Sequence, residues 1–242
     1  MSAAPVRVAI HGARGRMGER LCALVRADRR FVLAAEIDRD LPPPPALFAG
    51  DGASLPTPRM LDAIIDFSSP DGAATAADLA LCSGAALLVG TTGLDTAQRA
   101  RLAHVATVCA TMLAPNTSLG VAVLRHLVRE ASRLLPGFEI DIVESHHIRK
   151  KDAPSGTALA LAAASAEVGR PVPPERIHAL RGGDIVGEHT VQFAGPGETI
   201  QLSHSAVSRD LFALGALRAA AWLAGQRPGL YTIEDSLGLP RP

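Results

Sequence analysis

In the first part of the chain, the pattern of hydrophobic and polar residues alternates between one typical of strands and one typical of helices. "VRVAI" at residues 6–10 is a short, mainly apolar segment that predicts a buried strand. "HGARGRMG" follows, and apolar residues then recur at helical spacing from Met17 to Val25. "FVLAAEID" at residues 31–38 again has a strand pattern. The order strand, glycine turn, helix, strand predicts the start of a parallel α/β sheet.

The alternation of strands and turns continues to residue 117. "AIIDFSSPDGAATAADLAL" predicts a strand, a turn and a helix that starts at Pro70 after Ser69. "AALLVGTTGL" and "VATVCATMLAPNTSLG" each predict a further strand and turn, whereas "LPPPPALFAGDGASLPTP" at residues 41–58 predicts a surface loop. This part of the sequence therefore predicts a Rossmann-like α/β domain.

The pattern changes after Gly120. We expect a helix over about 121–134, a strand in "FEIDIVESHH" and an alanine-rich helix in "PSGTALALAAASAEV". "RGGDIVGEHTVQFA" and "ETIQLSHSA" predict antiparallel strands, and "FALGALRAAAWLAG" predicts a final apolar helix that returns to the first domain. The predicted organisation is a dinucleotide-binding domain over 1–117 plus 209–242 and a mixed α+β domain over 118–208.

The glycine turn carries the first chemical signal. Gly12, Gly15 and Gly18 have the spacing GxxGxxG, a variant of the dinucleotide fingerprint GxGxxG. The turn lies between a predicted strand and a predicted helix, and Asp38 follows twenty residues beyond Gly18. A tight turn without a ligand is the alternative. This context favours a dinucleotide site, because glycines let the backbone approach a pyrophosphate at a helix N-terminus.

Charged residues around this turn predict how the cofactor is recognised. Asp38 can accept hydrogen bonds from the adenosine ribose hydroxyls, and Arg39 beside it can pair with a 2′-phosphate. Arg14 and Arg16 add positive charge near the phosphates. We therefore expect either NADH or NADPH to be accepted.

Three later strand ends carry small and polar residues. They are Phe67-Ser68, Gly90-Thr91-Thr92 and Ala114-Pro115-Asn116-Thr117. Each alone is compatible with ordinary turn chemistry. Ligands of parallel α/β sheets bind at the carboxyl ends of the strands, so their recurrence on successive strands favours a wall on the nicotinamide side.

Composition narrows the class of protein. The 24 basic and 24 acidic residues cancel, which gives no general electrostatic reason to bind nucleic acid or a membrane surface. No apolar run approaches the roughly 18 residues of a membrane span, and the N-terminus lacks a signal-peptide core. The three cysteines form no CxxC pair and lie in apolar surroundings that predict buried free thiols. We expect a cytoplasmic protein.

The use of lysine is uneven. Of the 24 basic residues only Lys150 and Lys151 are lysines, and all others are arginines. Two neighbouring lysines can arise by chance in an arginine-biased sequence. The alternative is a position that needs an ammonium group, which can release a proton where a guanidinium effectively cannot.

Both lysines lie in "ESHHIRKKDAPSGTA", residues 144–158. Arg149 and the lysines would repel a metal cation, and no cysteine or carboxylate stands at a zinc-ligand spacing, so we predict no metal site. Cations on one side and a helix N-terminus on the other favour an anionic substrate with carboxylates. Adjacent strand residues face opposite sides, so His146 and His147 can share a pocket only where the strand ends.

"GARGRMG", "DFSSP", "GTTG", "APNTSLG", "ESHHIRKKDAPSGTA" and "GGDIVGEHTVQF" occur in an order and spacing that resemble the 4-hydroxy-tetrahydrodipicolinate reductase family. The resemblance implies reduction of a cyclic, unsaturated dicarboxylate imine by NADH or NADPH, with loss of water, in lysine and diaminopimelate synthesis. It also implies a homotetramer joined through sheets of the second domain.

The resemblance further implies roles for individual residues. His146 is the acid–base histidine and Lys150 the proton donor, while the substrate is bound by His147, Ser155, Gly156 and Thr157. The implied cofactor contacts are Gly12, Ala13, Arg14, Gly15, Arg16, Met17, Asp38, Arg39, Phe67, Gly90, Thr91, Thr92, Ala114, Pro115, Asn116 and Thr117.

Two other functions are compatible with parts of the sequence. One is a two-domain amino-acid dehydrogenase, which would not need the histidine pair joined to "PSGT". The other is a cofactor-sensing protein without turnover, which the presence of both His146 and Lys150 disfavours. We interpret Asp184, Glu188 and His189 in "GGDIVGEHT" as a structured turn rather than as catalytic residues, and Arg209 as a candidate interdomain hinge.

Overall fold

A computed structural model gives the structure of residues 4–48 and 60–240. The chain divides into two compact units. One comprises the chain up to Thr117 together with Phe212–Gly238, and the other comprises Ser118–Leu211 together with the C-terminal residues from Leu239. Within the described ranges, no helix is both long and apolar enough to cross a membrane.

The first unit is built on a six-stranded sheet. Its strands are β1 (Val6–His11), β2 (Phe31–Ile37), β3 (Ala63–Asp66), β4 (Ala86–Val89), β5 (Ala110–Leu113) and β10 (Gly229–Tyr231), and its helices are α1 (Arg16–Ala27), α2 (Pro70–Ser83), α3 (Thr96–Val105) and α6 (Asp210–Leu223). The strands are parallel and lie in the order β10-β5-β4-β3-β1-β2. This confirms the predicted Rossmann-like fold.

Local sequence sets the helix boundaries in this unit. The Ser69 side chain caps α2 by accepting a hydrogen bond from the Gly72 amide at 3.1 Å, and Pro70 begins the helix as predicted. Gly84, at φ 65°, ends it in the left-handed conformation. Asp95 and Gln98 form a reciprocal capping box at the start of α3.

Strands β3 and β4 are buried at every residue, as expected for central parallel strands covered on both faces. The surrounding core consists mainly of leucine, isoleucine, valine and alanine side chains. Cys22 and Cys109 are buried, but Cys82 is exposed, so the prediction of three buried thiols is wrong for Cys82. It lies on the solvent-facing side of α2, where apolar neighbours along the chain do not imply burial.

The predicted loop at residues 41–58 is described only as far as residue 48. Pro45–Phe48 form a short 3-10 turn, and Leu47 is buried in the core of the first unit. This segment therefore packs against the domain at Leu47. Residues 49–58 lie outside the described residues.

The second unit has a four-stranded mixed sheet and two helices. The elements are α4 (Leu119–Leu134), β6 (Glu139–His146), α5 (Gly156–Ala166), β7 (Ile177–Arg181), β8 (Gly187–Gly195) and β9 (Glu198–Ala206). The strand order is β7-β6-β8-β9. Strands β6 and β7 are parallel, while β8 pairs antiparallel with both β6 and β9. Apolar side chains of the sheet and of the two helices form one core, which includes Val128, Ile142 and Phe193.

The predicted turn in "GGDIVGEHT" is correct only for its first half. Gly183 and Asp184 form a turn, but Glu188 and His189 belong to strand β8. The glycines at 182, 183 and 187 favoured a longer turn, whereas pairing with β6 begins at Glu188 and pairing with β9 extends the strand back to Gly187. His189 therefore occupies a buried position in the sheet.

Candidate active site

The glycine turn of the first unit is tightly packed against its neighbours. Gly12 lies at the end of β1 with φ +79°, and a Cβ there would lie 2.4 Å from the carbonyl oxygen of Phe67. A Cβ on Gly18 would lie 2.0 Å from the carbonyl oxygen of Gly12. Glycine at both positions therefore lets the first turn of α1 close onto the loop. This is the backbone arrangement that a pyrophosphate at a helix N-terminus requires.

Replacing Gly18 with alanine should destabilise the first unit. The added methyl group would meet backbone atoms rather than a flexible side chain, so the turn must shift. We expect the free energy of unfolding in urea to fall by about 1–3 kcal/mol. Gly137→Ala is the control, because nothing lies within 4 Å of a Cβ at that exposed position. Equal stability of the two variants would contradict the packing described.

Asp38 is fixed at the end of β2 by backbone donors. Its carboxylate accepts hydrogen bonds from the amides of Arg14, at 2.9 Å, and of Arg39, at 2.8 Å. These bonds, led by the one from Arg14, hold the pKa of Asp38 below its usual value. The Arg14 guanidinium pairs with Asp40, and the Arg39 side chain is exposed. An ionised, immobile Asp38 beside the glycine turn suits an acceptor for ribose hydroxyls.

A buried carboxylate joins three strand ends of the same sheet. Asp66 is 0% exposed, and its oxygens lie 2.8 Å from His11 Nδ1, 2.5 Å from Ser68 Oγ and 2.6 Å from Thr91 Oγ1. The Ser68 amide also donates to Thr91 Oγ1 at 2.9 Å. The sequence analysis missed His11 and Asp66. Their signal was available, since each is a polar residue at the last position of a mainly apolar strand.

Other residues predicted to contact the cofactor follow strands β3, β4 and β5. A Cβ on Gly90 would lie 2.3 Å from the Phe67 ring, so the two pack directly. Thr117 is buried and donates through Oγ1 to the carbonyl of Phe212 at 2.7 Å. Its hydroxyl is thus engaged within the fold. Thr92 and Pro115 are exposed, while Asn116 is half-buried.

In the second unit, strand β6 ends at His146. His146 is buried, and His147, the next residue, is half-buried and outside the strand. Because the strand ends between them, the two imidazoles are not forced to opposite faces of the sheet. His147 Nε2 lies 3.4 Å from Nη2 of Arg209. Desolvation, together with the charges of Arg149 and Arg209, lowers the pKa of His147.

Glu144 is the centre of a buried hydrogen-bond network. It is 0% exposed, and Oε2 lies 2.5 Å from Nδ1 of His146. Arg181 donates to both carboxylate oxygens, at 2.8 and 2.9 Å, and the Ser155 amide donates at 3.1 Å. Burial alone would raise the pKa of Glu144, but the bonds from Arg181 and His146 outweigh it and lower the pKa. Sequence reasoning singled out neither Glu144 nor Arg181.

His189 completes the interior side of this cluster. Its ring lies 5.1 Å from that of His146 in an edge-on arrangement, and Nε2 lies 3.2 Å from the Ser155 hydroxyl. Burial, followed by the nearby His146, lowers the pKa of His189 to about 4. A buried imidazole that stays neutral is a packing and hydrogen-bonding group here, which distinguishes it from His146.

Lys150 lies on the exposed side of the cluster. Its Nζ is 2.8 Å from the Asp152 carboxylate, and its side chain is 21% exposed. The bond from Lys150 lowers the pKa of Asp152. Arg181 also donates to the Asp152 carbonyl at 2.7 Å, so one guanidinium contacts both the partner of His146 and the segment that carries Lys150.

Helix α5 begins immediately beyond this segment. Ser155 caps it by accepting from the Ala158 amide at 3.2 Å. Gly156 is exposed, and a Cβ there would meet nothing within 4 Å, so its surroundings are open. An anion could therefore reach the first amides of the helix. No group of three potential metal-ligating side chains occurs in residues 4–48 or 60–240.

Two family models cover nearly the whole chain. The model for the N-terminal part of dihydrodipicolinate reductase matches residues 6–117, and the model for its C-terminal part matches residues 120–237. The chain belongs to the dihydrodipicolinate reductase family. This decides against the amino-acid dehydrogenase and cofactor-sensor alternatives.

Curated members of the reductase family are similar over their full lengths. The 4-hydroxy-tetrahydrodipicolinate reductase of Xanthomonas campestris pv. campestris (strain B100) is 46% identical over 242 residues, covering 97% of this chain and 99% of the relative. That of Stenotrophomonas maltophilia (strain R551-3) is 46% identical over 245 residues, covering 98% and 100%.

Solved structures agree with the fold of the reductase family. Dipicolinate-bound dihydrodipicolinate reductase from Paenisporosarcina sp. TG-14 superposes with a TM-score of 0.76 at 24% identity, covering 94% of this chain and 97% of that one. The diaminopimelate dehydrogenase of C. glutamicum has a TM-score of 0.55 at 13% identity, with coverages of 96% and 93%. At these identities the likeness concerns the fold alone.

Proposed function

We propose how individual residues carry out the reaction of this family. The chain is an oxidoreductase that reduces 4-hydroxy-tetrahydrodipicolinate to tetrahydrodipicolinate with a nicotinamide cofactor, in lysine and diaminopimelate biosynthesis. The proposal rests on one cluster, which consists of His146, Glu144 and Lys150 beside the start of α5. It combines proton-transfer groups with an anion-binding helix end.

The first test is a coupled assay. Purified protein should consume NADH or NADPH only when a synthase supplies freshly made cyclic dicarboxylate, followed by nicotinamide absorbance. Reduction of NAD by free amino acids would overturn the assignment.

In the proposed mechanism the protein supplies the proton. When bound, the nicotinamide would supply hydride to an electrophilic carbon of the conjugated imine that is left after the substrate loses water. The π electrons displaced by the hydride move to another atom of the conjugated system, and that atom must then be protonated. Lys150 donates this proton, because an ammonium can release one and the Lys150 side chain is partly exposed. His146 acts beside it as the acid–base histidine through Nε2, since Nδ1 is bound to Glu144.

The substrate carboxylates are bound by groups around the start of α5. The surroundings of Gly156 are open at the positive end of the helix dipole, and the amides of Gly156 and Thr157 are the proposed donors. Ser155 positions this turn in two ways. Its hydroxyl caps the helix, and its backbone amide donates a hydrogen bond to the Glu144 carboxylate. His147, between Arg209 and Arg149, adds a donor in a positive environment. A dicarboxylate matches two such recognition elements.

Both NADH and NADPH are proposed as cofactors. Asp38 is held as an ionised acceptor for the ribose hydroxyls, and the exposed Arg39 can approach a 2′-phosphate. The other residues proposed to line this cofactor site are those of the glycine turn and of the strand ends at Phe67, Gly90–Thr92 and Ala114–Thr117.

Arg39→Ala should raise KM for NADPH several-fold more than KM for NADH. The substitution would remove a charge-assisted contact between the guanidinium and the 2′-phosphate, a group that NADPH has and NADH lacks. Steady-state kinetics with each cofactor measure the difference, and Arg29→Ala, at an exposed arginine outside the proposed site, serves as the control. Equal losses for both cofactors would show that Arg39 does not contact the phosphate.

We also propose a homotetramer that acts in the cytoplasm. The face of the second sheet that carries Thr190, Gln192, Gln201 and Ser203 has ladders of polar side chains, with Thr190 bonded to Ser203 and Gln192 bonded to Gln201 at 2.9 Å. Light scattering of the purified protein would give the mass, and a monomeric mass would exclude the tetramer.

A further inference from the structure

We propose that Glu144 and Arg181 are positioning residues that fix the tautomer and orientation of His146. The inference rests on the proposed acid–base role of His146, and it adds the reason why one ring nitrogen is presented for the reaction. The carboxylate of Glu144 can only accept, so Nδ1 of His146, at 2.5 Å, must carry the hydrogen. Nε2 is then the nitrogen left for proton exchange.

The surroundings of Nε2 agree with this role. Gly187 on the adjacent strand β8 lies beside this nitrogen, and a Cβ there would lie only 3.0 Å from Nε2. Glycine at this position leaves the reacting edge of the ring uncrowded. His189 packs edge-on against the same ring and supports its plane from the interior side.

Arg181 is what keeps a buried Glu144 ionised. Its guanidinium forms a two-pronged pair with the carboxylate, with bonds of 2.8 and 2.9 Å. Without this partner, a fully buried carboxyl group would favour its neutral form. A neutral Glu144 could donate to Nδ1 and reverse the histidine tautomer. Arg181 is placed here by the parallel pairing of β6 with β7, in which His146 and Arg181 are partners.

The same guanidinium links both proposed proton-transfer residues. It donates to the carbonyl of Asp152 at 2.7 Å, and the carboxylate of Asp152 bonds to Lys150. Arg181 therefore sets the position of the segment that carries Lys150 as well as the charge of Glu144. Arg181 thus connects the partner of His146 with the segment that carries Lys150.

Glu144→Gln tests the proposal directly. All four bonds to Glu144 come from donors, so an amide NH₂ at either oxygen position faces another N–H group. We expect kcat to fall by about 10²-fold or more, with KM for NADH unchanged. Nitrogen-15 NMR of the neutral His146 ring should show hydrogen on Nδ1 in the natural protein and on Nε2, in part or in full, in the variant.

Three further variants separate the possible outcomes. Glu188→Gln makes the same chemical change at an exposed position of β8 and should alter neither kcat nor the His146 spectrum. Arg181→Lys keeps the charge but loses the two-pronged geometry, and it should reduce kcat with the same spectral change even if Glu144→Gln does not fold. His146→Gln tests the proposed function itself.

The inference is overturned if His146→Gln is inactive while both Glu144→Gln and Arg181→Lys keep natural kcat and the Nδ1–H spectrum. If His146→Gln remains fully active, the acid–base role of His146 fails, and the inference fails with it.

Discussion

Lys150→Arg should lower kcat by about 10²- to 10⁴-fold, the usual contribution of general acid catalysis. Arginine keeps the positive charge and can still pair with Asp152, 2.8 Å from Nζ in the natural protein. It cannot release a proton on demand, because its pKa is far too high. Affinity for NADH should stay within about twofold, because the proposed cofactor residues belong to the other unit.

Lys151→Arg is the matched control for this substitution. Lys151 is exposed, whereas the Lys150 side chain is 21% exposed and bonded to Asp152. The swap at 151 should leave kcat unchanged. Mild and equal effects at both positions would mean that Lys150 contributes only charge, and that the two lysines are an accident of an arginine-rich composition.

Asp66→Ala should lower the free energy of unfolding by about 3–5 kcal/mol, the range seen when one partner of a buried ionic network is removed. The variant would leave His11, Ser68 and Thr91 without their common acceptor in the interior. NADH binding should weaken as well, because these residues belong to or adjoin the glycine turn and two neighbouring loops. Urea denaturation and fluorescence titration with NADH measure the two effects.

Asp78→Ala provides the comparison for Asp66. Asp78 lies on α2 with its side chain 50% exposed and pairs with Arg101 at the surface, where such pairs contribute about 0–1 kcal/mol. A stability loss at Asp66 no larger than that at Asp78 would show that the network does not hold the strand ends together. Unchanged NADH affinity would show that the loops are held by other contacts.

The parts of the fold that the sequence predicts are those governed by neighbouring residues. The glycine turn, the start of α2 at Pro70 and the end of β6 at the histidine pair each depend on a few adjacent side chains. Such features are set by local sterics and capping, so adjacent residues in the sequence are sufficient to predict them.

The parts that it does not predict depend on pairing between distant segments. Strand β7 has no alternating pattern, since its three central residues are all exposed, and β10 has only three residues. Arg181 contacts Glu144 from 37 positions away, through the register of β6 with β7. His189 looked like a turn residue until the pairing of β8 placed it in the interior. Long-range pairing of this kind leaves no local signal.

The first unit is discontinuous, and this affects its synthesis. Its sheet is complete only when β10 pairs with β5, yet all of Ser118–Leu211 is translated between the two strands. During translation, the edge of β5 that pairs with β10 therefore stays unpaired. Unpaired apolar strand edges promote association between nascent chains. Association between newly made chains is therefore expected to be strongest in the interval before β10 is synthesised.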